Sequence, residues 1–167
     1  MGILGQLERA LGVWYPDPDQ DPDDTNPVVG IAFRQYILNR LGDTFSATDR
    51  EDREVGEPDI VAVRNTDNCR FDIITCFRSR MFVGEDKEAY LPWITDETYA
   101  AAVAYAEHEE NPSFVIIGLH GFADEPKFVF VIPLAEAVPH LPRAVLQKYE
   151  IPKSGELLAS SCRNQHT

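Results

Sequence analysis

Glu57-Pro58-Asp59-Ile60-Val61-Ala62-Val63-Arg64, then Asn65-Thr66-Asp67-Asn68, then Phe71-Asp72-Ile73-Ile74-Thr75-Cys76-Phe77-Arg78-Ser79-Arg80 is the stretch that decides the fold. Both flanks are rich in β-branched and aromatic residues, which suit a pleated surface. The join is turn chemistry. The spacing predicts a β-hairpin over residues 57–80, with Asp59 at the mouth of its first strand.

Outward from the hairpin, Gly30 to Leu41 carries Phe33, Ile37 and Leu41 on one helical stripe, and Gly42 is a stop signal. Thr44 to Val55 reads as a polar edge strand anchored by Phe45, with solvated charges in Asp49-Arg50-Glu51-Asp52-Arg53. Met81 to Leu91 reads as a loop. Asp96 to Glu109 is an alanine-rich helix with Thr95 as N-cap and Tyr99, Val103 and Ala106 on one face, and Asn111-Pro112 ends it. The runs 113–119 and 128–134 are almost continuously apolar, which predicts adjacent strands covered on both faces. Pro142 to Tyr149 closes the pattern as a short helix with Val145, Leu146 and Tyr149 inward, and a frayed tail is expected after Ile151. The order helix, three strands, helix, two strands, helix predicts an α/β fold, a three-layer sandwich with a mixed central sheet flanked by helices.

The hairpin resembles that of the restriction-endonuclease-like superfamily, the PD-(D/E)xK nucleases, in the Mrr-like and Holliday-junction-resolvase-like branch. Pro58-Asp59 matches the opening of that pattern, and Phe77-Arg78-Ser79 looks like the aromatic-Arg-Ser that follows its lysine. The strands at 114–119 and 129–134 are similar to the second half of Mrr-like domains, so the resemblance covers 30–150. It implies a divalent metal held by the Asp and by an acid on the next strand, with a lysine two residues further on the same face. In that register the acid position is Ile74 and the lysine position is Cys76. An isoleucine cannot bind a hard cation, and a thiol is a soft ligand. The helix motif Gly-x-x-Phe-Glu-x-Tyr of the family matches Gly30-Ile31-Ala32-Phe33-Arg34-Gln35-Tyr36, with Arg34 in place of the glutamate. The resemblance implies the fold, and the same residues imply a degenerate active site.

Three functional readings follow. The first is a nuclease-fold domain that has lost standard Mg²⁺-dependent phosphodiester cleavage, a pseudoenzyme acting as a nucleic-acid-associated or assembly module. It expects no cofactor, a residual and doubtful metal role for Asp59, and DNA contact through Arg64, Arg70, Arg78 and Arg80. The second is an active but atypical Mg²⁺-dependent endonuclease with Asp59 and Asp72 as its catalytic pair. The third is a protein-interaction domain without a nucleic-acid role.

The remaining sequence divides into an N-terminal helix at 1–15, an acidic Pro/Asp linker at 16–29, the endonuclease-like domain at 30–150 and a C-terminal tail at 151–167. Ile3, Leu4, Leu7 and Leu11 have helical spacing, and a helix this short needs something to pack on, either its own domain or a protein partner. The alternating Asp17, Asp19, Asp21 and Asp23 imitate a calcium loop, but Pro22 and Val28 stand where an EF-hand needs Gly and Glu.

The chain has a net charge of −13, with four Lys against eleven Arg. Such an acidic, lysine-poor surface is the pattern expected of a halophilic source. At molar salt the Debye length is about 3 Å, so repulsion from phosphate backbones largely vanishes. The apolar runs are too short to span a bilayer, and the N-terminus carries no signal-peptide pattern. Cys69, Cys76 and Cys162 show no paired spacing, so a reducing cytoplasmic setting is expected. The four histidines have no zinc-ligand spacing, and His120 is expected to serve hydrogen bonding in a loop. Cys76 is expected to be a buried, inert thiol.

Overall fold

The computed structural model describes residues 27–158. The expectations for residues 1–26 and 159–167 therefore lie outside the described residues. Pro27 opens helix α1 (Pro27–Leu41), a position where its missing N–H costs nothing. Phe33, Ile37 and Leu41 are the buried side chains of α1, so the stripe read from sequence is the face that packs.

A six-stranded sheet follows, with spatial order β1 (Phe45–Asp49), β2 (Ile60–Arg64), β3 (Arg70–Arg78), β6 (Ser113–Phe122), β7 (Glu125–Pro133) and β9 (Glu150–Ile151). Strands β1, β2 and β3 form an antiparallel meander, and β1 is the edge strand. Strand β6 lies parallel to β3, and β7 runs antiparallel to β6. The sheet is thus mixed, and the two apolar runs are adjacent strands within it, as expected.

The alternation of side chains explains why these runs show no polar period. Phe114, Ile116, Val129 and Val131 join a core with α1, whereas Val115, Ile117, Phe130 and Ile132 join a core on the opposite face. That second core is covered by α2 (Asp96–Glu109) and α3 (Arg143–Tyr149). The Thr95 hydroxyl caps α2 by accepting from the Thr98 N–H at 3.2 Å. Tyr99 donates its hydroxyl proton to the Leu134 carbonyl at 2.9 Å. Helices on both faces of a mixed sheet give the three-layer sandwich.

Three expectations need correction. The strand predicted to reach Val55 ends at Asp49. Beyond it, ion pairs of Arg50 with Glu57 and of Arg53 with Asp59 draw the chain into a loop. The loop predicted at 81–91 contains β4 (Phe82–Val83) and β5 (Ala89–Pro92), which form a second, three-stranded sheet with β8 (His140–Pro142). Such short strands carry too few residues to show a period, yet they hold the buried Leu91 and Leu141 opposite each other. The tail predicted after Ile151 is ordered as far as it is described. Strand β9 (Glu150–Ile151) pairs with β7, and Leu157 and Leu158 are buried in the α1 core.

Candidate functional site: a cleft at the mouth of the hairpin

Asp59 precedes β2 by one residue, and its backbone N–H donates to the Ile73 carbonyl at 2.9 Å. This pairing turns its side chain onto the start of the second half of β3. A cleft of about 620 Å³ opens there. Its walls are the first turns of α1, including Arg34, the loop Glu51–Glu57, and the N-terminal part of α2 with Thr98 and Ala102. Its floor is Ile74 to Arg78 of β3.

Asp59 is 2% exposed, and both of its oxygens are engaged. Oδ2 accepts from the Thr75 backbone N–H at 2.6 Å and from the Thr75 hydroxyl at 3.1 Å. Oδ1 forms an ion pair with the Arg53 guanidinium. Burial pushes the Asp59 carboxyl above its ordinary value of 3.8, against the opposing pull of Arg53 and the Thr75 bonds. Arg34 also faces the cleft and is held by Asp49, with Nε 3.1 Å from Oδ1.

Ile74 and Cys76 both line the cleft, on the strand face shared by residues two apart. The Cys76 thiol lies 3.7 Å from the Trp93 carbonyl and is buried. The Arg78 guanidinium is also buried. It donates to the carbonyls of Pro92 at 3.1 Å, Trp93 at 3.0 Å and Phe77 at 3.1 Å, which stitches the end of β3 to the chain after β5.

Asp72 stands elsewhere. Its Cα partners are Val61 on β2 and Ser113 on β6, and it does not line the cleft. Since Val61 lies two residues past Asp59, the two aspartates are offset by roughly 7 Å in backbone position along the hairpin. Oδ1 of Asp72 accepts from Arg70 Nε at 3.1 Å, and Oδ2 is buried without a hydrogen-bond partner. Among the described residues, no group of three His, Cys, Asp or Glu side chains converges as a metal site.

The four arginines do not form one patch. Arg64 pairs with Asp67 at the hairpin turn, and Arg70 pairs with Asp72 at the start of β3. Arg78 ends the same strand, about 26 Å from Arg70 at the usual strand rise. Beyond it, Arg80 sits over the Phe82 ring at 5.3 Å. His120 donates from Nδ1 to the Ser79 carbonyl at 2.7 Å, since a carbonyl can only accept. His120 lies inside β6 rather than in a loop, with a φ of 57°, three residues before the turn at Ala123-Asp124.

Arg53 and Thr75 are the two site residues that the sequence reading missed. Arg53 lies six residues before Asp59 in a charged run, with no spacing that ties it to the carboxylate. Thr75 sits between Ile74 and Cys76, so a pattern that follows alternate residues passes over it.

No protein-family model matches the chain, and no curated protein matches it. Among solved structures it is similar to Hjc of Archaeoglobus fulgidus, a Holliday junction resolvase from an archaeal hyperthermophile. The TM-score is 0.53 at 14% sequence identity, over 81% of this chain and 96% of that one. At this identity the likeness carries the fold, and the six-stranded mixed sheet between helices has the architecture of the Hjc resolvase.

Proposed function

We propose that the chain is a nuclease-fold domain that has lost standard Mg²⁺-dependent phosphodiester cleavage and acts as a nucleic-acid-associated or assembly module. The observation that carries this is the occupancy of Asp59: Arg53 takes one oxygen and Thr75 the other. Mg²⁺ requires near-octahedral oxygen coordination and tolerates little substitution by softer or apolar groups. Ile74 and Cys76 stand where the resemblance implies the acid and the lysine. The glutamates that also line the cleft, Glu51, Glu54 and Glu57, do not join Asp59 in a metal-ligating group among the described residues, so the donor set does not fit this ion. A guanidinium already neutralises the one carboxylate the site would need. Arg34, on the helix where the resemblance implies a glutamate, adds a second cation to the wall.

An atypical endonuclease using Asp59 and Asp72 would need both carboxylates on one reacting centre. Their offset along the hairpin and the Arg70 pairing of Asp72 weigh against it. DNA contact would fall to Arg64, Arg70 and Arg80, since the Arg78 guanidinium is buried among carbonyls. Similarity to a resolvase makes branched DNA the first substrate to try.

The test is a paired cleavage and binding assay on branched, linear and single-stranded DNA. It is run with and without Mg²⁺ or Mn²⁺, at low and at molar salt. The expected result is no cleavage under any condition, with any binding insensitive to chelation of the metal. Cleavage that requires the metal and disappears in Asp59→Ala would overturn the proposal.

A further inference from the structure

The small sheet β4-β5-β8 has two faces of different chemistry. Leu91 and Leu141, opposite each other in the pairing, turn inward and are buried. Tyr90 and His140, one position before them, therefore face outward, and Phe82 lies opposite Tyr90. The outer face thus carries one ring on each strand. The ring centroids of Phe82 and Tyr90 are 6.1 Å apart, and those of Tyr90 and His140 are 5.2 Å apart. Phe82 and Tyr90 are half-buried and His140 is exposed, so ring surface remains open to solvent.

Charge is graded along this face. The Arg80 guanidinium stands 5.3 Å from the Phe82 centroid. In the register of β4 with β5, Arg80 lies toward Pro92, which is the pairing partner of His140. Glu88, two residues before Tyr90, lies at the other end, where the turn also carries Glu85 and Asp86. The Asp86 carboxylate is turned back onto the Glu88 N–H at 3.0 Å. A guanidinium and an imidazole thus stand at one end of the rings, and carboxylates at the end by the turn.

We propose that this outer face is a stacking platform for single-stranded nucleic acid. Bases lie on Phe82, Tyr90 and His140, and the sugar–phosphate chain follows the Arg80 end, away from Glu88. Rings on adjacent strands of a sheet accept unstacked bases of any sequence, and a guanidinium at their edge meets phosphate. A duplex keeps its bases stacked and cannot use such a face. A proline-rich peptide could pack on the rings but offers the guanidinium no phosphate. The inference rests on the nucleic-acid-associated reading above and names the strand that this reading would hold.

Anisotropy titration of the full chain with a short dye-labelled single-stranded DNA, and with the matched RNA, tests it. Tyr90→Ala should weaken binding roughly tenfold or more, as loss of a stacking partner does. His140→Ala, an exposed change that the fold should tolerate, should weaken it about threefold or more, and Glu88→Lys should strengthen it by a similar factor. Arg80→Ala should flatten the dependence of log affinity on log salt by about 0.7, one phosphate contact. An excess of duplex of the same sequence should not displace the strand. Losses seen with DNA, with RNA or with both support the platform, and the tighter ligand names the source. A wild type that binds no single strand would overturn the proposal, as would binding that His140→Ala and Glu88→Lys leave unchanged or that duplex competes away. Binding of a proline-rich peptide that is lost in Tyr90→Ala, with no strand bound, would assign the face to a peptide and overturn it too. Metal-dependent cleavage of a strand still held by this face would sink the loss-of-cleavage reading and leave the platform standing, so the two fail separately.

Discussion

Asp59 and Asp72 sit on one hairpin and are each 2% exposed, yet they are held in opposite ways. Asp59 faces an open cleft and has every oxygen engaged, by Thr75 and by Arg53. Asp72 is walled into the sheet between Val61 and Ser113, with one oxygen on Arg70 and the other without a partner. Each carboxylate has one hydrogen-bonded oxygen; the second oxygen of Asp59 has an ion pair without a hydrogen bond, and that of Asp72 has neither. Asp72 has no opening to the cleft. A buried acid thus says little about chemistry until its partners and its access are both known.

The largest effect should come from breaking Asp59's contacts. Asp59→Ala strands the buried Thr75 N–H and returns a partly exposed Arg53 to water. It should cost about 2–3 kcal/mol in denaturant unfolding, mostly for the orphaned donor. Asp59→Asn keeps a carbonyl for Thr75 and should stay within about 1 kcal/mol of wild type. Because burial raises the Asp59 pKa, its favourable contribution is present below the ordinary value of 3.8 and is lost as pH rises through the folded value. The balance should therefore shift toward the Asn variant as pH increases. Equal losses for Ala and Asn would show that the charge, not the hydrogen bond to Thr75, does the holding.

Asp72→Leu should do less. It removes an oxygen that has no partner, and Arg70, with its side chain 38% exposed, can find water. The expected change is under about 1 kcal/mol in either direction. A loss as large as that of Asp59→Ala would erase the contrast between the two aspartates.

The smallest effect lies at the hairpin turn. The Arg64 guanidinium, helped by the Cys69 N–H, holds the exposed Asp67 carboxyl at about 2. Its contribution to stability is present above 3.8 and is lost as pH falls toward 2. In Arg64→Ala, carboxyl NMR titration should move Asp67 back toward 3.8. An unmoved titration would assign the shift to the Cys69 N–H.

The sequence made the fold legible where elements were long. The α1 stripe of Phe33, Ile37 and Leu41 and the double-faced strands β6 and β7 each bury enough apolar surface to print a pattern. The small sheet was hidden because its strands run two to four residues, and its logic lies in the pairing of Leu91 with Leu141, fifty positions apart. At the site, Asp59, Ile74 and Cys76 were legible through the hairpin's resemblance to the nuclease pattern, with strand alternation putting Ile74 and Cys76 on one face. Arg53 was not, since a loop brings it back to Asp59 and no period marks a loop. Nor was the separation of the four arginines, because neighbours in the sequence of one long strand lie at opposite ends of it.

The central proposal is that Asp59, clasped by Arg53 and Thr75, serves no divalent metal. Calorimetric titration of Mg²⁺ into the full chain tests it most directly. The account predicts no saturable site at millimolar ion, in wild type and in Asp59→Ala alike. A single saturable site in wild type that is lost in Asp59→Ala would contradict it.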